Sequence, residues 1–340
     1  MAFVFNRFYP HGVAVNPSVL GEGGKVFPSE PKKWALFDLD WTLIRPTTTP
    51  CRPTLSGGPF CQQPDDWAVI PGRIERLQDF VREGWSVGII SNQKFANKSV
   101  VVARMINVFN LFNKYLPDII LMVATDESRV DPTNPLTEYR KPGVGWGFYL
   151  PFVVTNGRKE GLFCGDAVQD ISRPDRSWGY ADSDRQFAIN MGIAFFTPEE
   201  IFPQIKLPEA LFTMPKLLLL LVGPPGSGKS TFAKRLGQVG WALIESDVYK
   251  SNWSRMQKEI HNQLMQGRRV VVDATHPGKA RRLEVIAIAT QYQVPVGIIL
   301  FLNPGKWNRA EGRKPIPQIA YNRYWANFEE PNEAVVYYQT

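Results

Sequence analysis

The chain has 340 residues, 44% of them hydrophobic, with 39 Lys and Arg against 32 Asp and Glu, a formal charge of +7 and an isoelectric point near 9.2. That length is comfortable for two α/β domains, the apolar content excludes a disordered chain, and no run reaches the ~18 apolar residues of a membrane span. Three cysteines without metal-ligand spacing (Cys51, Cys61, Cys164) and an N-terminus without signal-peptide architecture point to a reducing interior, nucleus or cytoplasm, while three histidines leave the chemistry to carboxylates, lysine and arginine.

Residues 1–33 hold Gly and Pro without a period and read as an extended lead-in with room for a short hairpin. Trp34–Phe37 is an apolar strand that breaks into Asp38-Leu39-Asp40-Trp41-Thr42, and 45–66, dense in Pro, Thr, Gly and Cys, reads as a long surface loop. Strand and helix then take turns. The pattern predicts helix Pro71–Glu83, strand Trp85–Ile90, helix Val100–Asn113, strand Asp118–Ala124, strand Gly161–Cys164, helix Ser183–Met191 and strand Ile193–Phe196. Such alternation implies a parallel sheet with crossover helices. Pro203–Pro215 reads as a linker, with a boundary near 210, giving domains 1–210 and 211–340. The second series is strand Leu217–Val222, helix 229–238, strand 241–244, helix 251–266, strand 269–273, helix 277–291, strand 294–301, helices near 305–312 and 316–328, and strand 334–338. The halves show no internal repeat, so the expectation is two different α/β parallel sheets in tandem.

In the first half, Asp38 and Asp40 sit at a strand's C-terminal end, where open parallel sheets bind ligands. Paired carboxylates there call for a cation, and the chemistry that fits is phosphoryl transfer: Asp38 as nucleophile, Asp40 as proton donor and then base, both near Mg²⁺. Ser91 and Asn92 close the second strand within reach of a phosphoryl group, Lys141 supplies compensating charge, and Asp166 and Asp170 add metal ligands. Thr42 and Trp41 complete the substrate side.

The second half opens with Gly223-Pro-Pro-Gly226-Ser227-Gly228-Lys229-Ser230-Thr231, a phosphate-binding loop between a strand and a helix. Its glycines let backbone N–H groups converge on nucleotide phosphates, Lys229 reaches the β/γ-phosphates, and Ser230 ligates Mg²⁺. The ligand is ATP. Asp247, ending the next strand, suits a general base toward a hydroxyl, against the blander role of capping the following helix. Asp273 is a further strand-end acid. The polar stretch 307–314 suggests a lid, with Arg309 preferred and Arg313 second.

The pieces Asp-x-Asp-x-Thr, Ser91, Lys141 and Gly165-Asp166-x-x-x-Asp170 resemble haloacid-dehalogenase-type phosphatases. Taken with the P-loop half, and with Ser91-Asn92-Gln93, Tyr139-Arg140-Lys141-Pro142, Asp184-Arg185-Gln186 and Arg269-Val270-Val271-Val272-Asp273, the chain from Trp34 onward resembles the polynucleotide kinase 3′-phosphatase family. The resemblance implies a Rossmann-like phosphatase followed by a P-loop kinase that removes 3′-phosphates and phosphorylates 5′-hydroxyls on DNA or RNA ends. It further implies a downstream ligase and repair factors as partners; a monomer without membrane attachment is expected, and, as a departure from the family, no forkhead-associated docking domain is expected before residue 34. Trp41 stands where relatives usually carry a small residue, often Gly, and His276 where they tend to carry Asn. Lys250 could take the part of an acceptor-contacting Arg. The rival expectation is a small-metabolite kinase fused to a nucleotide or sugar phosphatase.

Overall fold

The computed structural model describes residues 2–4, 12–15, 27–47, 61, 63–93, 98–125, 139–168, 182–202, 207–302 and 316–339. In chain order the first part supplies β1 (Ala2–Val4), β2 (Gly12–Val15), β3 (Trp34–Phe37), β4 (Ile44–Pro46), β5 (Trp67–Val69), α1 (Arg73–Arg82), β6 (Ser86–Gln93), α2 (Lys98–Tyr115), β7 (Ile120–Thr125), β8 (Val154–Thr155), β9 (Arg158–Lys159), β10 (Gly161–Cys164), α3 (Ser183–Met191), β11 (Ala194–Phe196) and the one-turn α4 (Pro198–Ile201). Seven strands form one sheet in the order β1-β2-β7-β6-β3-β10-β11.

From β7 to β11 the sheet is parallel, and strict alternation fills both of its faces. Ala35 and Phe37 of β3 join Val87, Ile89, Leu121, Val123 and Leu162 in one core, while Trp34 and Leu36 join Ile90, Met122 and Phe163 in the other. A sheet covered on both sides has no wet face, so its strands read as unbroken apolar runs. Three features depart from the expected pattern. The short hairpin for which the lead-in had room, β1 on β2, docks antiparallel on β7 and makes the sheet mixed rather than purely parallel. The ends of the supposed loop 45–66 pair as the β4–β5 ribbon, Ile44 opposite Val69. Strand β6 runs on through Gln93 because Ser91, Asn92 and Gln93 pair with Val123, Ala124 and Thr125.

The second part supplies α5 (Glu209–Thr213), β12 (Leu218–Val222), α6 (Lys229–Gln238), β13 (Ala242–Glu245), α7 (Trp253–Met265), β14 (Val270–Asp273), α8 (Lys279–Gln291), β15 (Val296–Phe301), α9 (Gln318–Ala326) and β16 (Val335–Gln339). Its sheet is parallel throughout, in the order β13-β14-β12-β15-β16. All five side chains of β12 are buried. Truncating any of its leucines to Ala would cost ~2–5 kcal/mol. The packing divides the chain between 203 and 204. Residue 210 instead lies inside α5, because Leu211 is buried against Leu219, Leu221 and Trp241 and belongs to the second core. The lid stretch 305–312 lies outside the described residues. No described helix is long and apolar enough to cross a membrane.

Candidate active sites

In the first sheet the chain moves from β3 to β6 and β7 on one side, then returns to β10 and β11 on the other. The connections diverge between β3 and β10, and a crevice opens beyond their C-terminal ends. Asp38 follows β3, and Asp166 follows β10 after Gly165. Between them lies Lys141, 1% exposed, its ammonium 2.5 Å from Asp38 Oδ1 and 2.6 Å from Asp184 Oδ1. Asp184 stands in the first turn of α3, and it enters the crevice because residue 165 has no side chain: a Cβ there would collide with the Asp184 carboxyl. Its other oxygen accepts the Ala167 N–H at 2.9 Å.

Carboxylate oxygens of Asp38, Asp166 and Asp184 lie within 4.8 Å of one another. Burial, reinforced by the neighbouring Asp184 and Asp40 carboxylates, holds Asp38 well above the usual carboxylate range despite Lys141. Burial also pulls on Lys141, but Asp184 and Asp38 outweigh it and hold the ammonium above its ordinary value. One lysine therefore faces three acids. The missing positive charge, and a donor set made only of oxygen, fit a hard divalent cation such as Mg²⁺.

Asp184 was not among the sequence candidates, since its position in a helix, 18 residues beyond Asp166, gives no ligand spacing. Asp40 lies outside the three-acid cluster, and its Oδ2 accepts from Gln93 Nε2 at 2.7 Å. Asn92, expected to meet a phosphoryl group, turns instead to the backbone of Lys141: its Nδ2 donates to Lys141 O at 3.0 Å and its Oδ1 accepts Lys141 N–H at 2.9 Å. That clamp sets where the ammonium stands. Thr42, expected on the substrate side, is fully buried, as are Ser91 and Lys141. Trp41 is half-buried with φ +63°, a left-handed conformation that glycine adopts without cost, in keeping with the small residue the resemblance leads one to expect there. Asp170 lies outside the described residues.

The second site gathers at the ends of β12, β14 and β13. Gly226 and Gly228 have φ of +78° and +99°, the left-handed backbone of successive turns that can form an anion-binding concavity ahead of α6. Gly223 is needed for space, since a Cβ there would stand 2.8 Å from Ser227 Oγ and 2.9 Å from Phe301 Cβ. The buried Lys229 ammonium donates to Pro224 O at 2.7 Å and lies 3.3 Å from Ser227 Oγ. Desolvation lowers it to about 8, opposed by Asp273 and Asp247. Ser230 is hydrogen-bonded to Asp273, whose carboxyl burial raises.

Asp247 is exposed on the turn after β13. The cap of α7 is Asn252, whose side chain accepts the Arg255 N–H at 3.1 Å, so the capping role considered for Asp247 is taken. Thr231 and Lys250 are exposed, the latter at φ +49° beside Asp247. Arg309 and Arg313 lie outside the described residues. His276, 3% exposed at φ +41°, uses Nδ1 on Leu221 O at 2.9 Å, and the Gly223 N–H reaches Thr275 O at 3.2 Å, so the turn after β14 is tied to the P-loop strand.

Fold and sites define an α/β enzyme of two phosphoryl-transfer units, a haloacid-dehalogenase-like phosphatase followed by a P-loop kinase. Residues 33–202 match the family described as polynucleotide kinase 3 phosphatase, and 218–310 match a family described as AAA domain. The chain belongs to the polynucleotide kinase 3 phosphatase family. The bifunctional polynucleotide phosphatase/kinase of Schizosaccharomyces pombe is 26% identical over 336 residues, covering 88% of this chain and 76% of that one. A protein of Acanthamoeba polyphaga mimivirus whose name carries the same two activities is 23% identical over 367 residues, covering 89% and 82%. A solved HAD-like phosphatase from Mesorhizobium loti aligns with TM-score 0.34 and 19% identity over 54% of this chain and 77% of that one, too distant to carry an argument.

Proposed function

We propose that the chain heals nucleic-acid ends, its first unit removing 3′-phosphates and its second phosphorylating 5′-hydroxyls with ATP. The observation that carries this reading is the buried Lys141 bridging Asp38 and Asp184 at a strand-end crevice, in a chain whose other unit holds a P-loop. In the phosphatase step an Asp38 oxygen bonds to phosphorus as the P–O3′ bond breaks, and Asp40 gives its proton to the departing 3′-oxygen. Asp40 then takes a proton from water, whose oxygen displaces Asp38 from phosphorus and releases inorganic phosphate. Ser91 donates to a phosphoryl oxygen and Lys141 offsets its charge. Asp38, Asp166 and Asp184 would hold Mg²⁺ in the first unit and Ser230 with Asp273 in the second, where the ion neutralises charge on the transferring group.

In the kinase step Asp247 takes the proton of the 5′-hydroxyl as its oxygen bonds to the γ-phosphorus and ADP leaves. Lys229 must exchange Pro224 O for the triphosphate, a release favoured by the greater charge of the phosphates. Arg309 or Arg313 would close the site as a lid. The test is incubation with Mg²⁺, ATP and 3′-phosphorylated oligonucleotides in DNA and RNA versions across a salt series. Turnover that falls steeply with salt supports strand contacts. Equal turnover of mononucleotides, indifferent to salt, would favour a metabolite enzyme instead.

A further inference from the structure

Gln93 is 3% exposed, ends β6, and has no part in the chemistry described so far. Its amide is surrounded. Arg104, from α2 and itself 4% exposed, donates through Nη2 to Gln93 Oε1 and through Nη1 to Cys61 O. On the other side Gln93 Nε2 lies 2.7 Å from Asp40 Oδ2 and 2.7 Å from Ser91 Oγ. Arg140 adds a bond from Nη1 to the Gln93 backbone carbonyl at 3.2 Å. Guanidinium has donors only, so the amide cannot flip: its oxygen must face Arg104 and its NH₂ must face Asp40 and Ser91.

That polarity has consequences at both targets. Asp40 Oδ2 is engaged as an acceptor, which leaves the other oxygen, Oδ1, for the transferring proton. Ser91 Oγ also accepts, which leaves its hydroxyl hydrogen to donate to a phosphoryl oxygen. We propose that Gln93, oriented by Arg104, is the positioning residue of the phosphatase site, fixing which oxygen of Asp40 meets the leaving group and which way the Ser91 hydroxyl points. The proposal rests on Asp40 being the general acid. Gln93 touches neither substrate nor phosphorus; it acts through the two side chains it holds.

The experiment compares two 3′-phosphorylated oligonucleotides on the full chain with Mg²⁺, one with the natural bridging 3′-oxygen and one with sulfur there, whose thiolate departs without needing a proton. Gln93→Leu keeps the volume and removes the donors. Its kcat/KM on the oxygen substrate should fall by ~10²-fold, at the lower end of general-acid contributions, with KM nearly unchanged and with most of the loss recovered on the sulfur substrate. The thermal melt of the same preparation, set beside that of the unsubstituted chain, reports folding of the first unit. Arg104→Met, which leaves Gln93 in place but free to turn, should show the same selectivity at smaller size and serves if Gln93→Leu does not fold; Arg104→Lys, which keeps a donor, should recover part of the loss. An equal defect on both substrates, or none, overturns the proposal. Asp40→Asn is the reference: if it lacks the oxygen-over-sulfur selectivity, the general-acid reading and this proposal fall together, whereas selectivity in Asp40→Asn without it in Gln93→Leu and Arg104→Met sinks the proposal alone.

Discussion

The two sites solve one problem, gathering charge around a phosphoryl group, with different materials. The first is built of side chains from distant segments: Asp38 after β3, Lys141 after β7, Asp166 after β10 and Asp184 on α3, linked by ion pairs of 2.5 and 2.6 Å. The second is built largely of backbone from one contiguous stretch, with glycines at φ +78° and +99° and a lysine resting on its own loop's carbonyl. A side-chain site fails at once when a member is removed, since a buried charge loses its partner. A backbone site tolerates more around it, and its sensitivity concentrates in Lys229, Ser230 and the glycines.

The sharpest way to break this comparison is Asp38→Asn. We expect 3′-phosphate release to drop below detection while 5′-phosphorylation stays near wild type, measured on one labelled oligonucleotide carrying both ends. Loss of both activities in a folded protein would mean the sites are not independent. Next in size is Asp247→Asn, which should slow 5′-phosphorylation by a factor on the order of 10²–10⁴ and leave ATP affinity intact if the carboxylate is the base proposed for the hydroxyl. Lys229→Ala should weaken ATP binding as well. With Asn252 already capping α7, a stability loss without a rate loss in Asp247→Asn would leave Asp273 as the base to test.

A smaller effect separates the units by pH. Burial holds the His276 imidazole at about 4, against 6.5 for a free histidine, so the unfolded chain binds this proton first. The folded state is therefore undiminished above pH 6.5 and loses stability as pH falls toward 4, by ~3 kcal/mol from this group. His276→Asn, which tolerates φ +41°, should flatten that slope in urea melts of the second unit. A slope unchanged by the substitution would place the proton elsewhere. The smallest effect is at Trp41. Glycine there relieves a left-handed backbone, a gain of ~1 kcal/mol, and opens the mouth of the acid site; a large fall in melting temperature with an unchanged substrate profile would make Trp41 a packing residue only.

The P-loop could be read from the sequence because all its parts are local: an apolar strand, glycines where φ is positive, and Lys-Ser opening a helix. The alternation of strands and helices was legible for the same reason, since burial of both sheet faces writes apolar runs such as Leu217–Val222 directly into the chain. Asp38, Asp40, Lys141 and Asp166 were legible singly, as strand-end acids and one lysine. Their assembly into one site was read through the order of the family's motifs and not from any local pattern, because which strands neighbour β3 depends on the order β7-β6-β3-β10-β11, and no local pattern encodes that order. Tertiary structure alone brought Asp184 through the gap left by Gly165, moved Asn92 from ligand to clamp on Lys141, and placed Gln93 between Arg104 and Asp40. Sequence sets the periodicity and turn chemistry that make each element, while contacts between residues far apart in the chain are decided only when those elements compete for one core.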